Sequence, residues 1–100
     1  MTLESITEAV VSRAAATDAL GSTIKFLFTG GEGAVYLDGS GSSNTVSNED
    51  KDADCTVNVD LGDFNDMLSG ALNPMMAFMS GKLRIEGDMG VAMKLSSLFN

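Results

Sequence analysis

Three groups of residues carry side chains that could do chemistry. Asp50, Asp52 and Asp54 alternate as the first ligands of a calcium loop do. Counted from Asp50, however, the sixth position is Cys55 where such a loop needs glycine, and the twelfth is Leu61 where it needs a bidentate glutamate. The run reads as a solvated acidic connector. Asp60, Asp63 and Asp66 could offer a carboxylate pair for acid–base work. Yet Asp60 falls on the polar side of an alternating segment, and Asp63 stands where a helix N-cap belongs. Cys55 lies on the inward side of that segment, and the chain has no histidine to activate it, so a buried, inert thiol is expected. Gly30-Gly31-Glu32-Gly33 and Gly39 to Gly41 lack the following lysine and Ser/Thr of a phosphate loop, and read as turns. No catalytic residue, metal site or cofactor is expected.

The remaining chemistry is apolar. Met75, Met76, Met79, Met89 and Met93 fall within nineteen positions, in a chain with no tryptophan. Methionine is unbranched and polarisable, so a cluster of it suits contact with ligands of varied shape. Lys82, Arg84 and Lys94 lie in the same stretch and could meet a carboxylate or phosphate, although Lys82 and Arg84 fall on the solvent side of their segment.

Composition narrows the setting. One hundred residues, 44 % of them hydrophobic and 20 % charged, make one globular domain over 1–100, large enough to bury roughly 65 % of its unfolded surface. A formal charge of −8 repels phosphate backbones, so nucleic acid is not an expected partner. No apolar run reaches the roughly 20 residues of a membrane span, and membrane contact is expected to be transient at most. A lone cysteine, and an N-terminus without a basic or an apolar signal region, point to a cytoplasmic home; a monomer is expected.

These residues must be positioned by local elements. Leu3, Ile6, Val10 and Ala14 recur at helical spacing over 3–15, with Ser5 and Glu8 spaced as a capping box. Thr23 to Thr29 alternates Ile24, Phe26 and Phe28 inward, and Ala34 to Asp38 alternates again across the Gly30–Gly33 turn, so the two form a hairpin. Asn44 to Asn48 reads as a weak polar strand after a flexible Gly/Ser turn. Cys55, Val57, Val59 and Leu61 define a fourth strand by their period of two. Phe64, Met67 and Leu68 then switch to helical spacing, with Asp63 as cap and Gly70 as terminator. Asn73-Pro74 starts another short helix, Lys82 to Glu86 is a fifth strand, and Asp88 caps a final helix running to Phe99. Because that last strand follows a helical crossover, the sheet is expected to be mixed and mostly antiparallel, with helices on one face.

At Ala53-Asp54-Cys55-Thr56, Asp63-Phe64, Asn73-Pro74, Ala77-Phe78, Gly81-Lys82-Leu83 and Gly87 to Leu95 the chain closely resembles the sterol carrier protein type two domain. The resemblance is carried by the second half, while residues 1–50 agree in element order. It implies an α+β fold whose five-stranded sheet and helices enclose a hydrophobic tunnel for fatty acids, fatty acyl-CoA, sterols or phospholipids. It implies non-enzymatic lipid binding and transfer. The alternatives are an accessory protein that presents a lipid or quinone precursor to an enzyme partner, and a small acyl hydrolase. The C-terminus Leu98-Phe99-Asn100 is not a peroxisomal tripeptide of the Ser-Lys-Leu kind, and a cytoplasmic, stand-alone bacterial member is the preferred reading. The expected ligand-lining residues are Phe26, Phe28, Phe64, Met67, Leu68, Met75, Met79, Ala92, Leu95, Leu98 and Phe99.

Overall fold

The computed structural model describes residues 2–94. Its elements are α1 (Leu3–Ala15), β1 (Thr23–Phe28), β2 (Ala34–Asp38), β3 (Thr45–Ser47), β4 (Cys55–Val59), α2 (Leu61–Ser69), α3 (Pro74–Met79), β5 (Leu83–Gly87) and α4 (Met89–Ala92). The five strands form one sheet in the order β3-β2-β1-β4-β5. The sheet is mixed, as expected, but for another reason. β5 returns antiparallel to β4 despite the two helices between them, and the parallel pair is β1 with β4, which places Phe26 opposite Val57.

Two helix starts differ from the sequence reading. The cap of α1 is Thr2, not Ser5: the Ser5 amide donates to the Thr2 hydroxyl at 3.1 Å, and the Thr2 amide donates back to Ser5 Oγ at 3.0 Å. The box is therefore one turn earlier than the Ser5–Glu8 spacing suggested. The cap of α2 is Asp60, whose carboxylate accepts from Gly62 and Asp63 amides at 3.0 and 3.4 Å. Leu61 looked like a further strand residue because a buried leucine in a first helical turn continues the alternation by chance. The other helix signals hold. Asn73 caps α3 with Pro74 behind it, Gly70 ends α2 in the left-handed region at φ 86°, and Asp88 caps α4.

One face of the sheet carries the core. Ile24, Phe26 and Phe28 of β1, Val35 and Leu37 of β2, Cys55, Val57 and Val59 of β4 and Leu83 of β5 meet Ile6, Val10 and Ala14 of α1, Phe64, Met67 and Leu68 of α2, and Val91 and Ala92 of α4. The Arg13 guanidinium donates to the Leu68 carbonyl and so ties α1 to the end of α2. The other face is partly roofed by residues 49–54. Lys25 pairs with Asp50 at 2.8 Å, the Lys51 ammonium stands 4.7 Å from the Tyr36 ring centre, and Tyr36 donates to the Asp52 carbonyl at 3.2 Å. The acidic connector is thus a packed layer as well as a solvated one, which is why β2 is buried on both sides.

Asn44, which the sequence places at the start of the weak polar strand, lies just before β3 and organises the turn that precedes it. Its amide nitrogen lies within 3.1–3.2 Å of the carbonyls of Ala14, Thr17 and Asp18, while its oxygen accepts from the Leu20 amide at 3.1 Å. These bonds satisfy backbone groups left open where α1 ends.

Candidate functional site

The residues expected to line a ligand site divide into three sets. Phe26, Phe28, Phe64, Met67 and Leu68 come together between α2 and the sheet, all buried. The Phe64 ring sits between the two strand phenylalanines, 4.8 Å from Phe26 and tilted by 48°, and 5.4 Å from Phe28 nearly edge-on at 63°. Such tilted contacts suit the aromatic quadrupole and add to plain burial. Ala92 belongs to the same core from α4.

Met75 and Met79 are not in that layer. They are 66 % and 76 % exposed, because α3 is a single short helix that rests on the core through Ala77 alone and turns its other apolar side chains outward. Leu95, Leu98 and Phe99 lie outside the described residues, as does the end of the helix expected to run to Phe99.

Among the described residues Ser22 is the one buried polar residue. The layer therefore offers area and dispersion but few fixed polar anchors. Its side chains fill it, and an open tunnel is not seen among the described residues. A cleft of about 380 Å³ lies elsewhere, lined by Thr29, Asn58, Arg84, Ile85 and Glu86. It is polar in character, with Asn58 donating to Glu86 at 3.0 Å.

Lys94 ends the described chain with its ammonium donating to the Leu20 carbonyl at 2.8 Å and to Ser22 Oγ at 3.1 Å. It was considered as a contact for a ligand's acid group. Here it is a structural tie between the end of α4 and the entry to β1, a role with no local signature because the partners are over seventy residues away.

The reactive groups are arranged as inert ones. Burial pushes the Cys55 thiol up from its ordinary pKa, and the Asp88 carboxylate pushes it further, so it stays protonated at neutral pH. Asp60 is occupied as a helix cap. Asp54 accepts from the Thr23 amide at 3.1 Å while its own amide donates to Thr23 Oγ1 at 2.8 Å. No group of three or more Cys, Asp or Glu among the described residues could hold a metal ion, and no described helix is long and apolar enough to cross a membrane.

An apolar layer between helices and a five-stranded mixed sheet defines the fold as α+β. The chain matches the model of the SCP-2 sterol transfer family over residues 3–100, and it belongs to that family. Human Sterol carrier protein 2 is 46 % identical over 59 residues, which are 59 % of this chain and 11 % of that protein. Hydroxysteroid dehydrogenase-like protein 2 of Xenopus tropicalis is 47 % identical over 68 residues, 68 % of this chain and 14 % of that protein. The chain thus spans a small part of the length of these relatives. Among solved structures, Sterol Carrier Protein 2 Like 2 of Aedes aegypti superposes with a TM-score of 0.75 at 23 % identity, covering 94 % of this chain and 93 % of the other. The palmitated form of that protein in solution gives 0.74 at 23 % identity, with coverage of 100 % and 96 %. At that identity the likeness speaks for the fold. Lipid binding and transfer is the general character of the family.

Proposed function

We propose that this chain holds a long acyl chain, as fatty acid or fatty acyl-CoA, between the helices and the sheet and passes it on without chemical change. The observation that carries this reading is the layer built by Phe26, Phe28, Phe64, Met67 and Leu68, apolar throughout and closed on the helix side by short elements. Ala92 would extend the lining, Met75 and Met79 would meet the ligand as it enters past α3, and Leu95, Leu98 and Phe99 would complete it. The palmitate carried by the Aedes relative supports an acyl chain as cargo.

Energetics favour area over recognition. Each methylene moved from water into the layer gains up to about 0.8 kcal/mol. A dozen gain about 10 kcal/mol before the costs of association and of parting the helices, which leaves room for micromolar binding without a dedicated polar anchor. Nothing in such a site performs a reaction. With no histidine in the chain and Cys55 held as a thiol, the hydrolase alternative lacks a nucleophile–base pair.

The test is affinity against chain length. Binding of saturated fatty acids should strengthen steadily from about eight to about sixteen carbons, and incubation with palmitoyl-CoA should release no free CoA. A flat length dependence would move the site to a headgroup-binding surface, and CoA release would make the protein an enzyme.

A further inference from the structure

The sheet ends in two edges that differ. β3, on one side, is three residues long, and α1 packs against it. β5, on the other, is five residues long and pairs with β4 in an unbroken register, from Cys55 opposite Gly87 to Val59 opposite Leu83. A free strand edge is a template for another strand, and native edges are blunted by shortness, proline, a bulge or an inward-pointing charge. β5 has none of these, since its inward residues are Leu83 and Ile85.

Two bonds fix which backbone groups stand on that edge. The Thr29 amide donates to the Val59 carbonyl at 3.1 Å, so Val59, Val57 and Cys55 turn their polar backbone groups toward β1. The Asp88 amide donates to the Asp54 carbonyl at 2.9 Å, so the even-numbered residues of β4 and β5 bond each other. Arg84 and Glu86 therefore face Asn58 and Thr56 across the ladder, and the amides and carbonyls of Leu83 and Ile85 point away from it. Among the described residues nothing bonds to those outward groups. On the outer face of the sheet Asn58 holds the Glu86 carboxylate at 3.0 Å, while the Arg84 guanidinium has no partner among the described residues.

A second copy of β5, running antiparallel, fits this edge in one register. Centring the pair on Arg84 sets it against the partner's Arg84, and centring it on Glu86 again opposes like charges. Centring on Ile85 places Arg84 against the partner's Glu86 and Glu86 against the partner's Arg84. These are the positions of such a ladder without hydrogen bonds, where facing side chains come closest, and unlike charges there stabilise whereas like charges repel. Ile85 then exchanges both backbone bonds with the partner's Ile85. The two-fold axis stands perpendicular to the sheet, so the helices of both copies share one face. There α3 packs on β5 with Ala77 as its one buried residue, and apolar side chains of the two copies approach each other over the joint.

We propose that the outer edge of β5 is a self-pairing surface, on which a second copy of this chain joins antiparallel about Ile85 to make one continuous sheet, with Arg84 and Glu86 setting the register. This departs from the monomer expected from the sequence, and it does not depend on the carrier reading. Association is weak, because each copy carries a charge of −8 that opposes it.

Sedimentation equilibrium tests it in about 0.15 M salt, where charges more than about 8 Å apart are screened and contacting pairs still act. The wild type should pass from monomer to dimer between about 10 µM and about 1 mM. Arg84→Glu alone and Glu86→Arg alone should each weaken the dimer by about tenfold or more. Mixed together, these two variants should form a heterodimer, since every facing pair is then unlike, and Arg84→Glu combined with Glu86→Arg should restore the dimer. A second measurement needs no variant. Amide exchange of wild-type Leu83 and Ile85 should be fast in dilute protein and slow in concentrated protein, while Arg84 and Glu86 stay slow in both. A wild type that remains monomeric throughout overturns the proposal. So does a dimer indifferent to the charge reversals and to mixing, which would put the contact elsewhere, as on α3. Slow exchange of Leu83 and Ile85 at every dilution would mean that the chain's own residues 95–100 cover the edge, and overturns it as well.

Discussion

The ring centre of Phe64 on α2 lies 4.8 Å from that of Phe26 in the middle of β1, and neither ring touches solvent. This contact closes the helix layer onto the sheet at the centre of the proposed lipid site. Phe64→Ala would open a cavity there and should cost about 3–5 kcal/mol, read from urea unfolding. Phe64→Leu keeps most of the volume and should cost far less. A loss below about 1 kcal/mol for the alanine variant would mean that α2 rests on the sheet through other residues.

Gly87, at the end of β5, should resist substitution. Its φ is +101°, and a Cβ there would stand 2.5 Å from the Asp54 carbonyl oxygen and 3.3 Å from Cys55 Cα. Both objections are to backbone, which cannot swing aside. Gly87→Ala should therefore destabilise by about 2 kcal/mol or more. Gly41→Ala, at a position with open space and no positive φ, should change the urea midpoint little. Equal behaviour of the two variants would contradict the close approach of β5 to β4.

Cys55 should behave as a protected thiol. Dithionitrobenzoate at neutral pH should react with it slowly in the native protein and at once in urea, because burial and the neighbouring Asp88 keep the folded thiol protonated. The sign for stability follows. The folded pKa lies above the unfolded one, so this contribution is complete below the ordinary thiol range, and it is lost as pH rises from about 8 to 10 while the unfolded thiol ionises first. Cys55→Ala should lower stability overall yet flatten that alkaline slope. A slope unchanged by the substitution would assign it to other groups.

The acidic connector should prove uneven. Asp54→Ala removes the bond to the Thr23 amide and should cost about 1 kcal/mol. Asp52→Asn touches an exposed side chain whose residue contributes through its backbone carbonyl, and should fall within about 0.5 kcal/mol of wild type. Calcium at millimolar levels should not shift the melting temperature of either. A calcium-dependent shift abolished by Asp52→Asn would revive the metal reading.

Much of this fold was legible in the sequence because its signals are local. The alternation of Ile24, Phe26 and Phe28, the Asn73-Pro74 start, the Gly70 stop and the Asp88 cap each depend on neighbours within a few positions, and each stands in the structure. What escaped was non-local or ambiguous in chemistry. The parallel pairing of β1 with β4 joins Ile24 to Cys55 and leaves no trace in either segment alone. Asn44 and Lys94 look like surface polar residues until their distant carbonyl partners are known. Of the site, the inward phenylalanines of β1 and the α2 stripe were found together. Met75 and Met79 were assigned inward because an apolar residue on a helix of under two turns gives no periodicity from which to tell a core face from an exposed one.

The central place of β1 has a consequence for how the chain comes into being. On a ribosome, β1 and β2 can close as a hairpin as soon as Asp38 has emerged, but the other edge of β1 has no partner until Val59 has been made. Through that interval a strand bearing Ile24, Phe26 and Phe28 presents an unpaired edge, the feature that invites one nascent chain to pair with another. Synthesis rate between Asp38 and Val59, and any helper that shields the edge meanwhile, should therefore govern the yield of this protein more than changes in the finished core.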